Sequence, residues 1–189
     1  MLALQAVADF GDEIIVFEPL YASYKSFSVI AGIKLVPVTL PIEKNFAMPA
    51  ISEIEKKITK KTKAILYCNP NNPTGTVYTR EEIEMLVDLA KNYGLFLLSD
   101  EVYREFTYDG KKHVSLLSFM GDIPQQAIVL DSLSKRYSVC GARIGVLLSL
   151  NQEVMAGVLR IGQGRLSAGL VDQLMVAKLT EVPASYFQE

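Results

Sequence analysis

The sequence predicts an α/β fold: a mostly parallel, open sheet with helices on both faces, in three layers, α/β/α. Three observations predict it. Half of the 189 residues are hydrophobic and the mean hydropathy is positive, more than a sheet with one wet face needs. Strands covered on both sides account for the excess, because they are apolar at nearly every position instead of every second one. Such runs alternate along the chain with segments whose apolar residues recur at helical spacing. That alternation implies right-handed crossovers between parallel neighbours.

Each element follows in order. Met1 to Ala8 reads as the end of an amphipathic helix, stopped by Phe10-Gly11-Asp12. Glu13–Phe17, rich in β-branched and aromatic residues and ended by Glu18-Pro19, is a strand. Tyr21–Ala31 is helical and stops at Gly32, and Lys34–Thr39 is a second strand. Ile51, Ile54 and Ile58 place a helix near 51–58, and Lys63–Tyr67 is strand again. Thr79 and Glu82 have the spacing of a capping box, in which hydroxyl and carboxylate each satisfy a free backbone N–H. Ile83, Leu86, Val87 and Ala90 then form one apolar stripe, and Gly94 suits the position after the helix end. Leu95–Leu98 is an uninterrupted apolar strand. An irregular stretch around 108–124 precedes strands at Ile128–Leu130 and Ile144–Leu148, and helices at Val154–Ile161 and Val171–Leu179. The length and the lack of a linker or internal repeat predict a single domain over residues 1–189.

Composition excludes several functions. A net charge of −2, from 19 basic and 21 acidic residues, gives no electrostatic case for nucleic acid or an anionic membrane as partner. Lys56, Lys57, Lys60, Lys61 and Lys63 are interleaved with Glu53 and Glu55 and read as a solvated face. Cys68, Cys140 and the single histidine, His113, assemble no metal set at ligand spacing and indicate no disulfide framework. Both thiols are expected to be ordinary half-buried residues of a reducing, cytoplasmic compartment. The apolar opening segment is too short to span a membrane and lacks a basic leader.

In open α/β sheets, ligands bind beyond the carboxyl ends of the strands. Asn72, Asp100 and Lys135 each follow such an end. A lysine among apolar strand ends loses hydration of its charged form, and the neutral amine condenses with an aldehyde to a Schiff base; the alternative is a surface lysine that follows a strand. Asp100 closes a strand where a carboxylate is costly unless paired, and a protonated pyridine nitrogen would be a fitting partner; the alternative is a helix cap or a local salt bridge. Asn72 belongs to a Pro-, Asn- and Gly-rich turn, Asn69-Pro70-Asn71-Asn72-Pro73-Thr74-Gly75. Tyr103 could point its hydroxyl into the same space or cover the core, and Tyr21 could stack on a flat ring or act as a hydrophobic staple. Arg143, with Ser132 or Ser134, suits a phosphate dianion, or Arg143 pairs with Asp131 or Glu153. Neither GxxxxGK[ST] nor a GxGxxG after a strand is present, so the nucleotide fingerprints fail.

Taken together, Asn69–Gly75, Ser99-Asp100-Glu101-Val102-Tyr103, and Ser132-Leu133-Ser134-Lys135 with Arg143 eight residues on resemble one family. So does Gly11–Val16 followed by Pro19-Leu20-Tyr21-Ala22-Ser23-Tyr24. The chain is similar to the large domain of class I/II aminotransferases of the aspartate aminotransferase superfamily, fold-type I enzymes dependent on pyridoxal 5'-phosphate. The resemblance implies that Lys135 forms the Schiff base with the cofactor and then shuttles the proton. It implies that Asp100 binds the pyridine nitrogen, Asn72 and Tyr103 the ring's phenolic oxygen, Tyr21 the ring face, and Ser132, Arg143 and less surely Ser134 the phosphate. It also implies an amino acid and a 2-oxo acid as substrates, a homodimer or higher self-association, and a seven-stranded sheet with one antiparallel strand, for which Ile144–Leu148 is the candidate.

Departures accompany the matches. Family members are longer, and their glycine or serine phosphate loop and the arginine that grips the substrate carboxylate have no counterpart here. A portion truncated at both ends, lacking the small domain, is expected, with weak cofactor binding and poor turnover. The same site residues would serve a C–S lyase, a decarboxylase or a cyclopropane-forming synthase. A non-catalytic remnant and a nucleotide-binding α/β domain are the readings from other classes.

Overall fold

Residues 1–187 are described by a computed structural model. Branched and aromatic residues crowd the segments that become strands: β1 (Glu13–Glu18), β2 (Lys34–Thr39), β3 (Thr62–Cys68), β4 (Phe96–Asp100), β5 (Ala127–Ser132) and β6 (Gly145–Leu148). The helices are α1 (Leu2–Val7), α2 (Ser23–Ala31), α3 (Ile51–Glu55), α4 (Arg80–Tyr93), α5 (Leu133–Arg136), α6 (Gln152–Arg165) and α7 (Leu170–Ala177). The strands form one sheet in the order β2-β1-β3-β4-β5-β6. The first five are parallel. β6 runs antiparallel to β5, with Leu148 opposite Val129 and Val146 opposite Asp131. Among the described residues the sheet has six strands, not the seven the resemblance implied; the antiparallel strand is the expected one.

Side chains of a strand point alternately to its two faces, and here both faces are covered. Ile15, Ile65, Leu97 and Val129 pack with Ile54 of α3 and Ile83, Leu86 and Ala90 of α4. Their neighbours Ile14, Val16, Leu66, Leu98 and Ile128 pack on the other side with Leu4 of α1, Tyr24 of α2 and Val154 of α6. This is why the strands read as continuous apolar runs. Each fully buried Ile or Leu contributes about 1.5–3 kcal/mol. Pro37, which cannot donate to a ladder, lies in β2 at the sheet's edge, where one side of the strand needs no donor.

Local signals fix the ends of the best-formed helix. Thr79 Oγ1 accepts from the N–H of Glu82, and Glu82 Oε2 accepts from the N–H of Thr79, completing the capping box. Gly94 ends α4 at φ 64° and Gly32 ends α2 at φ 69°, the left-handed region that glycine enters without penalty. At Gly32 a Cβ would also collide with the Phe10 ring. The five lysines of the 56–63 stretch are all exposed.

α3 is shorter than the isoleucine spacing predicts. The chain turns tightly after Glu55, the N–H of Ile58 reaching back three residues to Glu55 O. Ile58 still packs on the core, so its periodicity survives the helix. The cysteines differ from expectation: Cys68 is buried at the end of β3, and Cys140 is exposed. Leu170, Val171 and Leu174 of α7 lie open to solvent.

Candidate active site

Beyond the carboxyl ends of β1, β3, β4 and β5 lies a cavity of about 360 Å³, within the range of small-molecule sites. All the sequence-predicted site residues line it. Tyr21 follows β1, and Asn72 belongs to the turn after β3. Asp100 is the last residue of β4, and Tyr103 follows in the next turn. Ser132 ends β5, with Ser134 and Lys135 on α5 and Arg143 just before β6. Parallel strands ending on one side gather into one space groups that the chain keeps far apart.

Asp100 ends β4 in the lining of this cavity. Its Oδ2 accepts the Tyr24 hydroxyl at 2.5 Å, and its Oδ1 accepts the N–H of Val102 at 3.3 Å. Burial pushes its carboxyl above the ordinary aspartate range; the Tyr24 and Val102 donors pull it partly back, and the charge of Asp131 pushes it up again. Burial first, then the Asp100 charge, raises the Tyr24 phenol well above its usual value, so the phenol is the donor of the pair. Cys68, also in the cavity lining, is pushed up to about 12, chiefly by burial, which leaves it a protonated, unreactive thiol.

Across the cavity, Asn72 Nδ2 donates to the Tyr103 hydroxyl at 3.3 Å, pairing an amide with a phenol. Lys135 Nζ stands 5.9 Å from the centroid of the Tyr103 ring, a cation–π distance. Lys135 is exposed, which corrects the expectation that apolar strand ends would dehydrate its amine. The reason is local: α5 begins directly after β5 and carries the lysine past the strand end.

Ser132 caps α5, its Oγ accepting the N–H of Ser134. The same Oγ lies 2.9 Å from Ser134 Oγ and 3.1 Å from Ile144 O, so the hydroxyls cluster. Arg143 is exposed and donates to Cys140 O at 2.8 Å. It pairs with neither Asp131 nor Glu153 among the described residues. Asp131 is taken by Arg136 at 2.6 Å and Arg104 at 3.7 Å. Arg143 has φ 54°, a left-handed conformation that costs a non-glycine residue on the order of 1 kcal/mol. Strain of that kind concentrates at functional sites.

A larger, mainly apolar groove of about 640 Å³ runs along α1, β6 and α6 and shares Arg143 with this cavity. Its polar lining is Met1, Gln163, Arg165 and Ser167 beside Arg143 and Asp131, whereas the lysine, the two phenols and the Asn72 amide gathered beside Asp100 line the smaller cavity.

Sequence reading passed over Tyr24, Glu101 and His113 as polar participants. Tyr24 carried the only usable signal, a second tyrosine one helical turn after Tyr21.

A family model described as aminotransferase class I and II matches residues 1–187. Alanine aminotransferase of Mycobacterium tuberculosis is 40% identical over 146 residues, covering 77% of this chain and 33% of that protein. Aspartate aminotransferase of Thermotoga maritima is 37% identical over 185 residues, 97% of this chain and 48% of that protein. The solved alanine aminotransferase from Pyrococcus furiosus superposes with a TM-score of 0.90 at 34% identity, covering 99% of this chain and 48% of its own. The chain thus spans between a third and about half the length of the curated relatives it matches.

Proposed function

This chain belongs to the class I and II aminotransferase family, and we propose that it carries the pyridoxal-phosphate-binding large-domain portion of an enzyme that moves amino groups from amino acids to 2-oxo acids. One observation carries the reading: an amine, a buried carboxylate, an amide–phenol pair, clustered hydroxyls and a guanidinium all line one cavity. The donor set fits the group. A carboxyl raised by burial gains most from a cationic pyridine nitrogen, which would satisfy it where it now has only neutral donors. The hydroxyls of Ser132 and Ser134 with Arg143 suit a phosphate dianion, and Tyr21 offers a ring face.

Pyridoxal phosphate, when bound, supplies an aldehyde that takes up the amino group and a ring that accepts electrons from the substrate's α-carbon. The chain's residues do the rest. Lys135 would hold the cofactor through its Nζ, and the same amine would be the general base that carries the proton. Asp100, held in aim by Tyr24, would pair with the pyridine nitrogen and favour its protonated form. Asn72 and Tyr103 would offer donors to the phenolic oxygen.

We further place the protein in the cytoplasm as a homodimer. Two free thiols support a reducing compartment, and the exposed Leu170, Val171 and Leu174 support self-association. No described helix is long and apolar enough to cross a membrane.

The test is direct. Purified chain mixed with pyridoxal phosphate should give the visible band of a lysine-linked cofactor, and borohydride should then fix its mass on the Lys135 peptide. Lys135→Ala should lose both. An unchanged band in that variant overturns the assignment.

A further inference from the structure

Beside Asp100 lies a second polar cluster that the chemistry above does not use. Glu101 is completely buried. Its Oε1 accepts Ser99 Oγ–H at 3.0 Å and the N–H of Leu116 at 2.9 Å; its Oε2 accepts Ser115 Oγ–H at 2.6 Å and faces His113 Nε2 at 3.0 Å. Burial works most strongly against its charge, but the donors from His113, Ser115 and Leu116 together hold the carboxyl below its ordinary range. Glu101 is therefore an ionised group in the interior, satisfied by four donors.

The protonation of His113 follows from its other neighbour. Asn69 is fully buried and its orientation is set by two backbone groups: Oδ1 accepts the N–H of Tyr78 at 3.0 Å, and Nδ2 donates to Val114 O at 3.2 Å. That leaves the amide NH₂ facing His113 Nδ1, 3.5 Å away. An NH₂ group only donates, so Nδ1 must present a lone pair, and the proton of a neutral ring sits on Nε2, aimed at Glu101.

These contacts join two stretches that bear on the cavity. Asn69 opens the turn that carries Asn72. Glu101 precedes Tyr103 by two residues, and its backbone N–H is fixed to Leu130 O of β5 at 2.8 Å. Packed hydrophobic residues would fill this space with no charge to desolvate. What a satisfied polar cluster adds is a unique geometry. We propose that Asn69, His113 and Glu101 form a clasp that positions Asn72 and Tyr103 opposite one another, with the Nε2–H of His113 directed at Glu101. The clasp rests on the reading above, in which Asn72 and Tyr103 receive the cofactor's phenolic oxygen, and it names positioning residues, none of which touches the cofactor.

His113 is the chain's single histidine, so its two ring nitrogens give unambiguous signals in ¹⁵N-detected NMR of the ligand-free protein. A protonated Nε2 hydrogen-bonded to Glu101 is expected; an Nε2 that carries no proton overturns the proposal. In His113→Ala, amide exchange over residues 102–106 should quicken at least about tenfold while the strand core stays protected. The dissociation constant for pyridoxal phosphate should rise about tenfold, equivalent to about 1.4 kcal/mol. The pH midpoint of the bound cofactor's absorbance should move as well. His113→Gln, whose amide donates where Nε2–H did, should recover most of each effect. A folded His113→Ala with wild-type exchange, affinity and midpoint refutes the clasp. If wild-type chain binds no pyridoxal phosphate, the functional reading fails, and the tautomer and exchange results decide the clasp without it.

Discussion

Tyr24, buried on α2, donates a hydrogen bond from its hydroxyl to Oδ2 of Asp100 at 2.5 Å across 76 positions of sequence. The bond joins the helix layer to the one strand end that carries a raised carboxyl. A hydrogen bond to a charged, buried acceptor is worth about 1.5–3 kcal/mol. Tyr24→Phe keeps the ring's packing and removes only this donor. Stability at neutral pH should fall by about 2 kcal/mol in urea denaturation, and the Asp100 carboxyl should move further above its ordinary range. Wild-type stability in Tyr24→Phe would show that the bond is not formed in solution.

Asp100→Asn should act in the opposite direction. Because the folded carboxyl is raised by burial, the folded state binds its proton more tightly than the unfolded chain does. Stability contributed at this site therefore declines as pH rises from about 4, the ordinary aspartate value, through the higher folded value. Removing the charge removes that decline. Asp100→Asn should be more stable than the parent by about 1 kcal/mol at neutral pH, equal to it in acid, and impaired in pyridoxal phosphate binding. Thermal melts across pH check the sign.

Glu82 does more than cap its own helix. Its Oε2 serves the N–H of Thr79, and its Oε1 accepts the N–H of Met48 at 2.8 Å, tying the 45–50 loop to α4. Thr79→Ala should cost about 1 kcal/mol, as a lost N-cap does, whereas Glu82→Ala should cost about 2 kcal/mol. Equal losses in chemical denaturation would mean that the loop contact contributes nothing.

The two thiols should separate cleanly under an alkylating or disulfide reagent. Cys140 is exposed and should label at once in the native protein. Cys68, buried and with its thiol pushed up to about 12 by burial, should label only on unfolding. Since Cys140 lines the cavity with Lys135, saturating pyridoxal phosphate should slow its labelling severalfold. Labelling that is indifferent to the cofactor would place the cofactor elsewhere.

Much of this architecture was legible because local signals were strong. The expected bounds of β2 coincide with the observed Lys34–Thr39, and the capping box of α4 is present as its spacing implied. Ile58 misled, since a residue in a turn can keep the period of the helix before it. The cavity-lining residues were legible as groups set after strand ends, but their hydrogen bonds were not. Tyr24 finds Asp100, and Asn69 finds His113, only after separate strands and helices have packed. Exposure of Lys135 was equally hidden, because it depends on how few residues separate β5 from α5.

The strand order has a consequence for how the cavity comes into being. Parallel neighbours cannot zip from a hairpin; each pair waits for a crossover to close. Tyr21, Asn72, Asp100 and Lys135 are each delivered by a different strand of the β1-β3-β4-β5 run, so no single strand supplies the pocket. The pocket is therefore complete only once all of those long-range pairings have formed.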